Sequence, residues 1–186
     1  MKIFIDFIAD ILGRVPFSCW VILIGAGIVS FVWIYTQIQD ETMKKSEAVS
    51  RGLLPIYIII LFVLTIFIRR EHPYIYYMLE PFWSYREILR GGRGDLLVGN
   101  IGNIVMFIPW GVIPVISSIK INEHKLNGLW IIGSGFLCSL MIELVQLVCR
   151  RGIFEFDDIF NNTVGVLIGY FICIMVRKRS DIHKMK

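Results

Sequence analysis

Charged residues divide this chain into long apolar runs. Five stretches of 17 to 25 residues carry no charge, apart from Glu143 in the fourth. A transmembrane helix needs roughly 20 apolar residues, and helices satisfy all their backbone hydrogen bonds within one segment. The pattern therefore predicts five membrane-spanning helices. Their expected bounds are Phe17–Ile38, Leu53–Ile68, Asn100–Ile119, Asn127–Cys149 and Ile159–Val176.

Composition agrees with this pattern. Hydrophobic residues make up 56% of the 186 residues and charged residues 18%, with a mean hydropathy of +0.68. Soluble globular proteins contain about a quarter charged residues. These values exclude a soluble α/β enzyme, a disordered tail and a small disulfide scaffold. Together with the charge-free runs, and with the N-terminal pattern described next, these values predict an all-α fold. This fold is a polytopic membrane helical bundle of about five transmembrane helices plus an N-terminal amphipathic helix.

The first fifteen residues differ from the rest. Lys2, Asp6, Asp10 and Arg14 recur every four residues among apolar side chains, which is typical of an amphipathic helix lying in the membrane interface. Pro16 separates it from the first span, and the two aspartates argue against a cleaved signal peptide. We expect three regions: 1–50 with this helix and an extra span, a membrane core at 51–176, and a basic tail at 177–186.

Counting positive charges does not orient the chain, because the N-terminal side of the membrane receives nine and the other side ten. Seven of the eight lysines fall on the C-terminal side, while the other side is almost purely arginine. If the arginines of the 69–95 connection belong to a site, the remaining charges place the C-terminus in the cytoplasm and the N-terminus outside.

Polar side chains of the fourth and fifth spans gather on the N-terminal side of the membrane. Glu143 is the only charge inside a predicted span, and a carboxylate at the bilayer centre costs about 2.5–3.5 kcal/mol on insertion scales. This favours a functional role over simple pairing with Arg150. Asp158 and Asn162 continue in a stripe with the glycine pair 165 and 169, a face at which helices approach closely. Asp157 and Asp158 could also cap their own helix.

The long connection 69–99 carries arginines among aromatic residues. Arg86 and Arg90 lie one helical turn apart, close to Trp83 and Tyr85. Such arginines suit a phosphate or carboxylate of an amphiphile, and the alternative is ordinary anchoring at the interface. Together these patterns give the predicted ligand-binding residues, which are Arg86, Arg90, Asn103, Glu143, Gln146, Arg150, Arg151, Asp157, Asp158 and Asn162.

No catalytic residue is assigned. The sequence shows no serine–histidine, cysteine–histidine or metal-ligand spacing, so chemistry would rest on Glu143 or Asp158 as acid or base. The carboxylates of Glu143, Asp157 and Asp158 could host a hard cation, but nothing in their spacing demands one. We therefore predict no metal, no cofactor and no nucleic-acid partner. The four cysteines are interpreted as small hydrophobic residues within spans.

Several strings resemble the VanZ-like family of bacterial membrane proteins over about residues 51–176. They are Leu79–Phe82, Asn103–Gly111, Ser139–Gln146 and Glu155–Gly165 with Gly169. Departures are Trp110, where phenylalanine is usual, Glu155, where aspartate is usual, Met78, where asparagine is common, and an offset arginine at 150 or 151. The name-giving member accompanies glycopeptide-resistance genes in Gram-positive bacteria and raises tolerance to teicoplanin, a lipid-tailed glycopeptide, more than to vancomycin.

The resemblance implies a protein of the bacterial cell membrane that lowers susceptibility to lipoglycopeptides at the level of the outer leaflet or the cell-wall precursor. Its partners would be membrane lipids and a lipid-linked precursor or the lipoglycopeptide itself. Two alternatives remain open. One is a carboxylate-based hydrolase or transferase acting on a lipid-linked substrate, and the other is a small transporter with Glu143 on its path. The oligomeric state is not indicated.

Overall fold

A computed structural model describes residues 13, 15–41, 43–69, 71–117 and 128–184, with side chains up to residue 176. The amphipathic helix predicted over the first fifteen residues lies outside the described residues, apart from Gly13 and Val15. The described helices and strands follow in chain order. They are α1 (Phe17–Gln39), α2 (Lys45–Phe62) with a π-helical turn (Val63–Phe67), β1 (Tyr77–Met78), α3 (Trp83–Gly91), α4 (Gly94–Ser117), α5 (Gly128–Cys149), β2 (Phe154–Glu155) and α6 (Phe156–Lys184).

The predicted all-α class is confirmed. Among the described residues, five helices are long and apolar enough to cross a membrane, namely α1, α2 with its π turn, α4, α5 and α6. They match the five charge-free runs, so the protein is an integral membrane protein. The helices extend beyond the predicted spans where polar residues continue them. For example, α2 begins at Lys45 rather than Leu53, and α4 begins at Gly94 rather than Asn100.

The structure divides into two compact units. The first comprises the described residues up to Tyr76 together with 145–153, and in it α1 packs against α2. A side chain at Gly52 would overlap Ile34, so the small residue permits this close approach. Val15, Cys19 and Val63 form a buried cluster at the other end of the same helix pair.

The second unit comprises the described residues of 77–144 and 154–186, and its main contact joins α4 and α6. A side chain at Gly165 would overlap the carbonyl oxygen of Ile104, and one at Gly169 would overlap that of Ile108. Gly111 faces the α6 backbone in the same way. The predicted glycine stripe thus brings two backbones together, and α4 runs through Pro109 and Pro114 as one helix.

A two-stranded parallel sheet holds the connections in the second unit. Tyr77 pairs with Phe154 and Met78 with Glu155. The sequence does not predict this pairing, because two-residue strands carry no periodicity that distinguishes them from loops. The pairing fixes the segment before α3 beside the segment before α6.

Candidate functional site

The carboxylate of Asp157 holds the beginning of α3. It accepts hydrogen bonds from the backbone N–H groups of Phe82 and Ser84 at 2.6 and 2.9 Å, and from the Ser84 hydroxyl at 2.6 Å. The first N–H groups of a helix have no partner within the helix, and a negative charge there complements the helix dipole. Asp157 therefore caps α3 while it also lies in the first turn of its own helix, where the sequence analysis considered it as a cap.

Phe82 takes the left-handed conformation just before α3, with φ 60°. This is unusual for a large non-glycine residue and costs about 1–3 kcal/mol. Its ring packs edge-on against Tyr85, Phe156 and Phe160 with centroid distances of 6.1, 6.3 and 5.1 Å. These contacts and the bond to Asp157 hold the turn, which explains the structural role of the Leu79–Phe82 motif.

A polar network extends from this cap into the unit. The Asn100 side-chain amide donates to the Ser84 hydroxyl oxygen at 3.0 Å, so α4, α3 and α6 are joined through Asn100, Ser84 and Asp157. The Tyr85 hydroxyl donates to the side-chain oxygen of Asn161. Burial, and then the Asp157 carboxylate, raise the pKa of the Tyr85 hydroxyl above its usual value, against a smaller opposing effect of the Asn161 hydrogen bond.

Two further buried contacts involve the predicted residues of α5. Glu143 is buried and accepts the backbone N–H of Glu155 at 2.9 Å. Asn162 donates through Nδ2 to the Ser139 hydroxyl oxygen at 2.7 Å. Asp158 is also buried, which confirms that its stripe points inward. The acid in α5 thus helps to fix β2, the strand that pairs with β1 beside α3.

Some buried polar atoms have no hydrogen-bond partner among the described residues. They are Trp83 Nε1, Gln146 Oε1, Asn161 Nδ2 and Asn162 Oδ1. Leaving a buried donor or acceptor unsatisfied costs about 1–3 kcal/mol, and native structures contain few such atoms. Three of the four lie in the second unit, on α3 and the first turns of α6.

The predicted arginines of the connection line a cavity and are not part of the buried network. Arg86 and Arg90, together with Arg93, face a space of about 310 Å³. Arg86 pairs with Glu80 at 2.5 Å and Arg90 with Glu87 at 3.5 Å. Hydrogen bonding to Asp95 raises the pKa of the Arg93 guanidinium. The other residues that line the cavity are Met78, Trp83, Glu80 and Glu87.

Three predicted ligand residues belong to the first unit. Gln146 is buried and donates through Nε2 to the Thr65 carbonyl, in the π turn, at 2.8 Å. Arg150 is exposed with φ 55°, and its carbonyl accepts the His72 N–H. Arg151 pairs with Glu71 and lies 5.6 Å from the centre of the Phe67 ring. These contacts give the three residues structural partners within their own unit.

Asn103 is buried on α4. Among the described residues no group of three or more histidine, cysteine, aspartate or glutamate side chains is placed to hold a metal ion. Glu143, Asp157 and Asp158, which the sequence analysis considered as ligands of a hard cation, therefore do not form such a group in the described structure. The four cysteines, all described, are free thiols.

Sequence reasoning missed part of the site. Trp83 and Tyr85 were interpreted as interface residues and Ser84 was not singled out, yet each has a polar atom in or beside the network. Asn161 was also missed, although it lies one turn after Asp157, in a stripe next to the predicted one. The spacing of these two residues is the signal that would have found it.

Comparison with known proteins gives two matches and one negative result. The model of the VanZ/LLP1 family matches residues 54–177. Protein VanZ of Enterococcus faecium is 26% identical over 143 residues, which cover 75% of this chain and 82% of that protein. No solved structure matches. The matched region includes the α3 cap, the cavity and the buried network.

Proposed function

The chain belongs to the VanZ/LLP1 family, and from that premise we propose that it lowers the susceptibility of its bacterial host to lipid-tailed glycopeptides such as teicoplanin. The observation that carries the proposal is the match of the family model to residues 54–177, which contain the polar site, and the similarity to Protein VanZ supports it. Vancomycin, which has no lipid tail, serves as the comparison compound.

The proposed place of action is the outer leaflet of the cell membrane. The chain would lie with its N-terminus outside and its C-terminus in the cytoplasm. Residues 68–93, which connect the π turn after α2 to α4 and include α3, would then face outward. The arginines of this connection support the proposal, because guanidinium groups suit the phosphates and carboxylates of lipid-linked molecules. The proposed partners are membrane lipids and either a lipid-linked cell-wall precursor or the lipoglycopeptide.

The proposal concerns susceptibility and includes no reaction. Ser139 lies on α5, is fully buried, and its hydroxyl oxygen accepts a hydrogen bond from Asn162, so we assign it no role as a nucleophile. The two alternatives from the sequence, a carboxylate-based hydrolase or transferase acting on a lipid-linked substrate and a small transporter, stay predictions. Lipid extracts of cells with and without the protein would reveal products of the first of these.

The test compares inhibitory concentrations of teicoplanin and vancomycin in one sensitive Gram-positive host. Four strains carry an empty vector, the protein, its Asp158→Asn variant, or its Asp40→Asn variant, at matched membrane levels. Asp158 is buried beside the network, whereas Asp40 is exposed after the end of α1. We expect several-fold protection that is greater against teicoplanin, is lost in Asp158→Asn and is kept in Asp40→Asn.

Each outcome has one meaning. Equal teicoplanin concentrations for the vector strain and the wild-type strain would contradict the proposed function. Protection that survives in Asp158→Asn would keep the function and remove this side chain from the site. Equal protection against both compounds would exclude recognition that depends on the lipid tail.

A further inference from the structure

We propose that the cavity beside α3 binds the phosphate of a membrane-lipid headgroup. The cavity is lined by three arginines, two glutamates, a tryptophan and a methionine, namely Arg86, Arg90, Arg93, Glu80, Glu87, Trp83 and Met78. The assignment depends on the protein being in a membrane and is independent of any effect on glycopeptides.

The donors of the cavity are the first argument. Among the described residues, the Arg86 side chain makes one ion pair, with Glu80, and the Arg90 side chain makes one, with Glu87. Each guanidinium offers five N–H donors, so the single contact of Arg90 with Glu87 at 3.5 Å leaves most of its donors available to a ligand. A ligand that satisfies these groups must be rich in acceptors.

Donor geometry and size favour a phosphate. Each arginine of the cavity has a carboxylate partner, which for Arg93 is Asp95 at 2.7 Å, so the cavity would recognise an anion through the remaining guanidinium donors of Arg86 and Arg90 and not through an excess of charge. Arginine pairs with phosphate through two parallel hydrogen bonds, and a tetrahedral phosphate can meet donors arriving from several directions. The volume of about 310 Å³ is near the lower end for ligand pockets, which suits a headgroup better than a complete lipid or drug.

Position along the chain indicates a lipid source. The cavity is built on α3, and α3 ends at Gly91, three residues before the spanning helix α4 begins at Gly94. The cavity therefore lies close to the end of a membrane span, where phospholipid phosphates are the abundant anions. Leu89 on α3 is 87% exposed and provides an apolar contact for acyl chains.

The walls of the cavity are fixed before a ligand arrives. Met78 is held by the pairing of β1 with Glu155 in β2. Trp83 begins α3, whose first turn is held by Asp157. A site whose walls are held by buried contacts loses less conformational freedom on binding. The buried acids thus act as positioning residues for a cavity that they do not line.

Binding is tested on the purified full chain in a non-ionic detergent. Isothermal titration uses three probes, which are dihexanoyl phosphatidylglycerol, dihexanoylglycerol without the phosphate, and inorganic phosphate. We expect the phospholipid to bind, the diacylglycerol to bind at least tenfold more weakly, and phosphate to bind weakly at the same site. Equal binding of the phospholipid and the diacylglycerol would overturn the proposal.

Matched variants locate the site. Arg86→Gln and Arg90→Gln should each weaken phospholipid binding by about tenfold, because a hydrogen bond from a charged group contributes about 1.5–3 kcal/mol. The double variant Arg86→Gln/Arg90→Gln should weaken binding further than either single variant. The control is Arg51→Gln, at an arginine that is also paired with a glutamate at 2.5 Å but lies outside the cavity.

Other results also decide the question. Phospholipid affinity unchanged in all three cavity variants would overturn the site, even if the lipid binds elsewhere. Inorganic phosphate binding as tightly as the phospholipid would overturn the lipid source and leave a site for free anions. Melting temperatures identify any variant that has lost its fold, and the cavity variants that melt like wild type then decide. Because the assay measures binding alone, its failure is distinguishable from failure of the glycopeptide experiment.

Discussion

At the scale of single residues, the acids and the arginines have different tasks. The carboxylates of Asp157 and Glu143 accept backbone N–H groups and hold other segments in place. Arg86 and Arg90 line a cavity open to ligands. A buried carboxylate is costly unless hydrogen bonds satisfy it, and the N–H groups of the first turn of α3 provide them. The two acids therefore hold backbone segments in place, whereas the two arginines line the cavity to which we assign phosphate binding.

The cap of α3 gives the first prediction at this scale. Asp157→Asn removes the negative charge and one of the two carboxylate oxygens, and we expect the free energy of unfolding to fall by about 2–3 kcal/mol. Chemical unfolding in detergent, followed by circular dichroism, measures the change. The exposed Asp40→Asn variant should stay within about 0.5 kcal/mol of wild type. Equal stability of the two variants would show that the cap contributes little.

The sequence located the polar residues better than it paired them. The burial of Asp158 and Asn162 was predicted correctly from their spacing, because helical periodicity places them with the two glycines on one face of the same helix. The bond from Ser84 to Asp157 was not predictable, since it joins residues 73 positions apart. Periodicity describes one helix at a time and contains no information about which other segment that helix meets.

At the scale of helices, the α4–α6 contact depends on missing side chains. Gly165→Ala places a methyl group against the Ile104 carbonyl, where the backbone of a packed helix cannot move aside cheaply. We expect a loss of about 1–3 kcal/mol or more, measured as a lower melting temperature in detergent. Gly133→Ala is the matched control, because a Cβ there meets nothing within 4 Å.

The control substitution should be neutral or slightly stabilising, since alanine favours a helix over glycine by about 1 kcal/mol. If both variants melt like wild type, the close contact between α4 and α6 is absent in the membrane.

The existence of this contact was predictable from the glycine spacing, but its partner residues on α4 were not. The short β1–β2 pairing was not predicted, because strands of two residues carry no periodicity and their partners are distant in sequence.

At the scale of the whole molecule, the five charge-free runs correspond to the five helices that, in the part of the chain that the structure describes, are long and apolar enough to cross a membrane. The orientation follows from a separate argument, which sets aside the arginines of the α3 connection as members of a site. It predicts an outward connection 68–93 and a cytoplasmic C-terminus. Green fluorescent protein fused after Lys186 should fluoresce, and alkaline phosphatase fused after Gly92 should be active.

Two fusions with the opposite result, a dark C-terminal fusion and an inactive phosphatase, would reverse the orientation and place the α3 cavity in the cytoplasm. The phosphate-binding test in detergent would be unaffected. The proposed action on the outer leaflet would then be wrong, because the residues that support it would face the other side.

The distance along the chain between Ser84 and Asp157 also sets an order of events during synthesis. A ribosome delivers α3 and then the spanning helices α4 and α5 to the insertion machinery before Asp157 emerges. Throughout that interval the first turn of α3 has no carboxylate to accept its N–H groups. A chain cut short before residue 157 would carry all the arginines of the cavity without the cap that positions them. Formation of the cap is therefore delayed until α6 begins to be synthesised, and until then the segment that carries the cavity arginines lacks the contacts that fix its first turn.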